Sequence, residues 1–441
     1  MDPADEARGV PDADPHLRPA RYLTEDQPPI GGTLKARPED FIVEELPLFA
    51  LKGEGEHIYL FVEKRGLGTI EMIHAIARHF RVRPDDIGSA GLKDRHAITR
   101  QLVSVHAPGR TPEDFPMLDR PDIHVLWADL HTEKLKRGAL LGNRFVIRVR
   151  GVKASDALVA KRVLDRLASE GVPNRFGEQR FGYLANNHLI GRSIVLRQYD
   201  EAVRMLLSPS PRAPRSQTEE REKFAAGDLE GAWEAFPRSF RTEQIVLNAL
   251  LKGKDAASAL RAVPRNVRSY YISAFQSSIF NAVLDQRLLD ATLDQLLPGD
   301  LAYHHEHRTT FPIDETKLAQ DPEKRDSVPA MLRSLEISPS GPLWGREMSR
   351  PTGRQGEVEL EALRAFGVDL DDLDRADGSI AEMIGGARRP LRVPLRDPDV
   401  EGGVDEHGAY VKCAFELPRG SFATTVMEEV CKTRLDEGDE G

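Results

Sequence analysis

The segment GLKDR at 91–95 sets one carboxylate, Asp94, between two cations, Lys93 and Arg95. Neighbouring cations lower a carboxylate's pKa and keep it ionised. An ionised carboxylate in a cleft can act as a nucleophile. On spacing alone, a solvated surface turn is the commoner meaning of Lys-Asp-Arg. A second segment, NRFGEQRFG (174–182), interleaves Phe176 and Phe181 with Asn174, Gln179 and Arg180. Rings stack on a nucleobase, while amides read its edge. Two core phenylalanines held by a glycine turn fit the same pattern equally well. The cluster His304-His305-Glu306-His307 has metal-ligand chemistry, but no cysteine or second cluster lies near it. An exposed polar loop is therefore its expected role. Ser104 and His106 share one face of a predicted strand, and nothing completes a triad with them. The chain has no G-x-x-x-x-G-K-[ST], no G-x-G-x-x-G opening a helix, no H-E-x-x-H and no G-x-S-x-G. Nothing in it therefore points to a nucleotide cofactor, a zinc protease or a serine hydrolase.

These residues need elements to hold them. The alternation in Phe41–Glu45 predicts a strand, and HIYLFVE (57–63) predicts another after a glycine-rich break. Thr69 is expected to cap a helix carrying Ile70, Ile73, Ala77 and Phe80, ended by Arg83-Pro84. SAGLKDRHAITRQ then reads as a glycine-entered turn feeding the strand QLVSVHA (101–107). Further strand-like runs lie at 122–128 and 144–150. Ser155 is expected to open a helix with Val159, Val163, Leu164 and Leu167 on one face and Gly171 as its stop.

From about residue 200 the composition changes. SPSPRAPRSQTEEREK (208–223) reads as a linker or long loop. Residues 270–290 predict a helix with a broad apolar stripe of Ile272, Phe275, Ile279, Phe280, Val283 and Leu284. Residues 357–382 predict an acidic helical surface. Strand alternation returns in AYVKCAFEL (409–417), and RGSFATTVMEEV (419–430) reads as a glycine turn opening a helix. Strand signal, helices, then strand again suggests one domain inserted into another.

Length and charge bound the function class. A chain of 441 residues has room for two or three domains. Its 40% hydrophobic content is that of a globular protein. No apolar run approaches the ~20 residues that span a bilayer. The acidic, proline-rich start lacks the features of a secretory signal. The two cysteines, Cys413 and Cys431, cannot build a disulfide scaffold. A cytoplasmic location is expected. The net charge of −10 argues against nucleic acid when taken alone. Yet residues 131–190 hold 12 basic against 5 acidic residues, while 357–382 hold 2 against 9. Only the local face meets a phosphate backbone.

Taken together, five blocks resemble the TruD family of tRNA pseudouridine synthases, in that family's order. They are RPEDFIVEE (37–45), SAGLKDRHAITRQ (89–101), KLKRGALLGNRFVIRV (134–149), VPNRFGEQRFG (172–182) and RGSFATTV (419–426). The helix YYISAFQSSIFNAVL (270–284) matches more loosely.

The resemblance implies an α+β fold. A pseudouridine-synthase catalytic domain built on an antiparallel sheet would be interrupted by an inserted, largely helical α+β domain. The corresponding boundaries are a flexible acidic tail at 1–28, the first catalytic part at 29–200, the insertion at 201–389 and the last catalytic part at 390–441. The implied activity is an isomerase (an intramolecular transferase) that turns uridine, at the family's usual position 13, into pseudouridine in tRNA. It implies no cofactor and no metal. Asp94 matches the catalytic aspartate, attacking either the sugar C1′ or the uracil C6. Phe41, Asn174, Phe176 and Phe422 match the substrate-binding residues: Asn174 for a polar contact, the three rings for stacking or shaping the pocket. Lys35 is expected to meet a phosphate or a carboxylate. Lys93 and Arg95 are expected either to keep Asp94 charged or to point at phosphate. Lys134, Lys136, Arg137 and Arg144 are expected to contact the RNA backbone. The expected partner is tRNA, with no membrane, and the protein is expected to be a monomer. Two other classes remain: an RNA-binding protein that has lost the reaction, and a metabolic enzyme using Asp94 on a small substrate.

Overall fold

The computed structural model describes residues 21–118, 120–313, 322–375 and 378–432. They form two compact units. The chain leaves the first after Val172 and returns to it at Val393, and the second is built on Pro173–Arg392. The architecture is α+β, with an antiparallel-rich sheet in the first unit and a largely helical second unit.

The first unit supplies β1 (Phe41–Pro47), β2 (His57–Arg65), β3 (Ile87–Ser89), β4 (Ile98–His106), β5 (Ile123–His131) and β6 (Leu140–Arg150). After the return, β7 (Arg396–Asp405) and β8 (Gly408–Pro418) complete it. The order is β7-β8-β6-β1-β4-β2-β5, antiparallel except where β1 runs parallel to β4. β3 also pairs with β4. Residues 98–100 of β4 pair with β1, and residues 103–105 pair with β3. β1 and β3 thus follow one another along the same strand, and the 90–97 loop leaves the sheet at that junction. Gly88 is required there, because a Cβ would lie 2.3 Å from the Leu135 carbonyl oxygen.

Period-two alternation turns one side of each strand inward. Phe145, Ile147 and Val149 face Phe415, Cys413 and Val411 across the β6–β8 register. The helices Ala157–Glu170 and Ala423–Cys431 bury their apolar stripes on this layer. Helix Thr69–Phe80 covers the β2 end with Met72, Ile76 and Phe80. Burial on this scale, at about 25 cal/mol per Å² of apolar surface, is the main force holding the sheet to its helices.

The second unit packs the long helix Arg265–Leu289 against Asn187–Val195 and a set of shorter helices between Tyr199 and Ala262. A four-stranded sheet runs in the order Ala387–Pro390, Ile337–Leu343, Leu301–His304, Thr309–Pro312. Gly191 lets the two helices touch, since a Cβ there would meet the Tyr271 carbonyl at 2.0 Å. Helices Gly353–Ala365, Leu370–Asp374 and Gly378–Met383 occupy the acidic stretch. Among the described residues, no helix is long and apolar enough to cross a membrane.

Several expectations shift. The compact units divide at 172/173, and 187–195 packs on the long helix of the second unit. The 208–223 segment is not a linker. It contains a helix from Thr218, and the fully buried Arg221 donates to the carbonyls of Leu206 and Ser208. Helix Thr69–Phe80 follows Gly68 rather than a threonine cap. The Thr69 hydroxyl instead accepts the Lys93 backbone N–H at 2.9 Å. The second helix begins at Ala157, after a short turn over 154–156. Most of the proposed acidic tail, residues 1–20, lies outside the described residues, but its inner end is held: the Thr24 N–H and hydroxyl both donate to Glu429. His304 and His305 turn to Glu336 and Ser338 at 3.3 and 2.8 Å.

Candidate active site

Asp94 lies in the irregular loop between β3 and β4, within the first unit. Its side chain is about a quarter exposed, so it is reachable yet partly desolvated. Lys35 Nζ donates to Asp94 Oδ2 at 2.6 Å, and the His96 N–H donates to Oδ1 at 2.9 Å. Burial pushes the carboxyl upward. The Lys35 hydrogen bond, the Lys35 charge and the His96 N–H outweigh it, so the net displacement is downward and the group stays ionised. Each of the two carboxylate oxygens thus has a donor.

The cation on Asp94 is therefore Lys35, not its sequence neighbours. Lys93 turns away, its Nζ lying 3.0 Å from Glu45 Oε2 and 2.7 Å from Asn143 Oδ1. The Lys93–Glu45 pair is buried, and burial still pushes Glu45 upward against the Lys93 charge. Arg95 reaches towards Glu71 at 3.9 Å on an exposed face. Lys64 supports the loop from beneath: it is fully buried, and its Nζ donates to the Asp94 carbonyl at 2.8 Å. Burial pushes its ammonium down to about 8.

Phe41 opens β1 and is buried, with the Lys35 ammonium 4.9 Å from its ring centroid. Lys35 has left-handed backbone, φ 52°, just ahead of the strand. The structure thus brings Asp94, Lys35 and Phe41 together. Phe422 belongs to the same unit, precedes helix Ala423–Cys431 and is 47% exposed, an unusual exposure for so large an apolar ring.

Asn174 and Phe176 belong to the second unit, where they form their own cluster. The Asn174 amide donates to the Pro390 carbonyl at 2.9 Å and accepts from Arg389. Phe176 packs edge-on against Phe280, with centroids 5.5 Å apart. Arg389 lies 4.3 Å and Arg180 5.6 Å from its ring centroid. Asn281 clamps the Phe176 backbone, accepting its N–H at 3.0 Å and donating to its carbonyl at 2.9 Å.

The long helix supplies a feature that sequence reasoning missed. Tyr270, Ser273, Ser277, Asn281 and Asp285 recur every three or four residues and so share one face. They bind the 175–180 segment in turn: Asp285 takes Arg175, Asn281 takes Phe176, and Ser277 and Ser273 take Arg180. The signal was a polar stripe opposite the apolar one. Of the basic residues expected to face RNA, Lys134 donates to the Asp85 carbonyl, Lys136 lies 3.9 Å from Glu133 and Arg144 lies 3.7 Å from Glu416. Arg137 is exposed.

The comparisons agree with one another. The family model for tRNA pseudouridine synthase D (TruD) matches residues 19–430. A tRNA pseudouridine synthase D of Geobacter metallireducens is 41% identical over 414 residues, covering 93% of this chain and 98% of that one. A Thermus thermophilus relative of the same name is 33% identical and covers 94% of both. The crystal structure of a Methanosarcina mazei protein assigned to tRNA pseudouridine synthase D superposes with a TM-score of 0.81 at 26% identity, covering 96% of this chain and 99% of that one.

Proposed function

The chain belongs to the tRNA pseudouridine synthase D family, and from that membership we propose that it isomerises a uridine of tRNA to pseudouridine with Asp94 as nucleophile. The reaction breaks the N1–C1′ bond, turns the uracil and forms C5–C1′. C5 loses a proton and N1 gains one, so the atoms balance without a redox partner. The observation that carries the reading is Asp94 itself: a partly desolvated carboxylate kept ionised by Lys35 and the His96 N–H. A nucleophile must be charged but not fully hydrated, and this setting supplies both. Attack at C1′ and attack at C6 both use the same ionised oxygen.

The target base must leave its stack, which costs a few kcal/mol. Stacking on an aromatic ring returns about 1–3 kcal/mol per base. Phe41, Asn174, Phe176 and Phe422 are the proposed substrate-binding residues. Of the three rings, Phe422 presents by far the most free surface, which supports it as a stacking partner. Phe41 and Phe176 are buried and carry cations against their rings, which supports them as shaping walls. Position 13 of tRNA and a cytoplasmic setting follow from the resemblance.

The test is a carbodiimide primer-stop and C5-tritium-release assay on unmodified tRNA with a uridine at position 13. Wild type and Asp94→Asn run side by side. Product from wild type alone is expected, with tRNA binding of the variant largely intact. Turnover by Asp94→Asn near the wild-type rate removes Asp94 from the nucleophile role. Binding without product by wild type favours the RNA-binding reading.

A further inference from the structure

We infer that Lys64 is a positioning residue for the nucleophile: its ammonium, with the Thr69 hydroxyl as a second anchor, clamps the main chain at Asp94 and so sets where the carboxylate stands. The inference rests on the functional reading above. Lys64 lies on β2, an inner strand of the sheet, in register with Thr99 of β4 and Ile123 of β5. Its side chain is fully buried. Its Nζ donates to two main-chain carbonyls, that of Leu67 and that of Asp94, the latter at 2.8 Å. Leu67 belongs to the turn between β2 and helix Thr69–Phe80. One ammonium thus ties an inner strand, that turn and the loop of the nucleophile together. From the first position of the helix, the Thr69 hydroxyl accepts the Lys93 N–H at 2.9 Å.

The two anchors bracket Asp94. The Lys93 N–H and the Asp94 carbonyl lie on either side of the Asp94 Cα, so the main chain there is held from both directions. The side-chain torsions remain, and Lys35 and the His96 N–H hold those through Oδ2 and Oδ1. Lys64 differs from the other buried lysine of this corner. Lys93 has a carboxylate, Glu45, at 3.0 Å. Among the described residues no carboxylate pairs with Lys64, whose acceptors are both peptide oxygens. Burial pushes its ammonium down and the Lys93 charge adds to that. The charges of Asp94 and Glu71 draw it back, leaving it at about 8 and still charged at neutral pH. Burying a charge without a counter-ion is costly. A methionine of similar shape would fill the same space without that cost. What the ammonium adds is a charge-assisted hold on two carbonyls, one of them the nucleophile's own. A side chain on a strand holds a reacting group more exactly than one on a loop.

The experiment is single-turnover pseudouridine formation on unmodified tRNA with a uridine at position 13, at saturating enzyme. Wild type, Lys64→Met and Thr69→Val are compared, with tRNA binding and thermal melting of each. At saturating enzyme the rate constant belongs to folded, tRNA-bound molecules, so a loss of folded protein alone does not move it. Lys64→Met is expected to lower that rate constant about a hundredfold, as for a displacement of about 1 Å at the reacting group. Its tRNA affinity should stay near the wild-type value, since a fully buried side chain meets no RNA. Thr69→Val keeps the shape, removes the second anchor and should lower the same rate constant about fivefold, as for one hydrogen bond. A wild-type rate constant in folded Lys64→Met overturns the clamp. Affinity that falls as far as the rate also overturns it, because Lys64 then shapes the RNA-binding surface instead. Should Lys64→Met fail to fold, Thr69→Val decides, and an unchanged rate constant there overturns the clamp. Wild type that makes no pseudouridine overturns the functional reading and this inference with it. Wild type that is active, with Lys64→Met equally active, overturns this inference alone.

Discussion

Lys35→Met tests the electrostatic setting of Asp94 directly. The methionine preserves most of the side-chain volume. It takes the same left-handed backbone, φ 52°, at no added cost, because lysine already bears that strain. What changes is the charge 2.6 Å from Asp94 Oδ2. With Lys35 gone, burial still pushes the carboxyl up, and only the weaker pull of His96 remains against it. One adjacent opposite charge ordinarily moves a carboxylate by about one to three pH units. The acid limb of the single-turnover rate profile should rise by that amount, worth about 1.4–4 kcal/mol of protonation free energy. The sign also carries to stability. A lowered folded-state pKa stabilises the protein above the ordinary carboxylate value of 3.8 and loses that contribution as pH falls through the folded value. The variant should therefore be less stable at neutral pH and lose less on acidification. The assay is pseudouridine formation from pH 5 to 8.5 with saturating enzyme. Wild type should stay flat on the acid side while Lys35→Met falls away near pH 5 and partly recovers at pH 8. An acid limb in the same place for both proteins refutes the role of Lys35.

Glu45→Met should destabilise the first unit by about 3–5 kcal/mol, because it strands the buried Lys93 ammonium; urea unfolding checks this, and a wild-type midpoint would show that the pair contributes nothing. Phe422→Ala removes an exposed ring and should leave stability within about 0.5 kcal/mol while lowering activity. Phe176→Ala, by contrast, should lower both melting temperature and turnover, and turnover more than tRNA affinity. Unchanged turnover in Phe176→Ala assigns that ring to packing alone.

Much of the fold was legible because its signals are local. Alternation marked β1, β2 and β8, and the apolar stripe of 270–290 marked the long helix. The partner of Asp94 was harder. Lys93 and Arg95 adjoin it in sequence, but each turns to a carboxylate of its own, Glu45 and Glu71, so proximity in the chain was misleading. Lys35 is 59 positions away, and only the meeting of β1 with β4 brings it near. The 208–223 segment misled for a related reason. Its proline, serine and charge are loop composition, but Arg221 closes the carbonyl end of helix Tyr199–Leu207 from within. Composition counts a buried arginine as surface, and only its partners say otherwise.

The same limitation hid the second cluster. An apolar stripe explains why the long helix is buried, and it leaves the opposite side without a role. That side carries Tyr270, Ser273, Ser277, Asn281 and Asp285, and each meets the loop that holds Asn174 and Phe176. A helix packed only for stability would gain more from apolar residues at the two buried positions of this face, Ser277 and Asn281, since a buried polar group at best recovers its desolvation cost. Asn281 is 4% exposed and Ser277 is fully buried, yet both are polar and both are spent on orienting the loop. The helix therefore fixes where Arg175, Arg180 and the Phe176 ring sit. Replacing Ser273 and Ser277 together by alanine separates packing from orientation. The core gains or holds stability in thermal melting, while Arg180 loses its orienting hydroxyls and tRNA affinity falls. A double variant that keeps both affinity and stability would show that the polar face has no role in holding RNA.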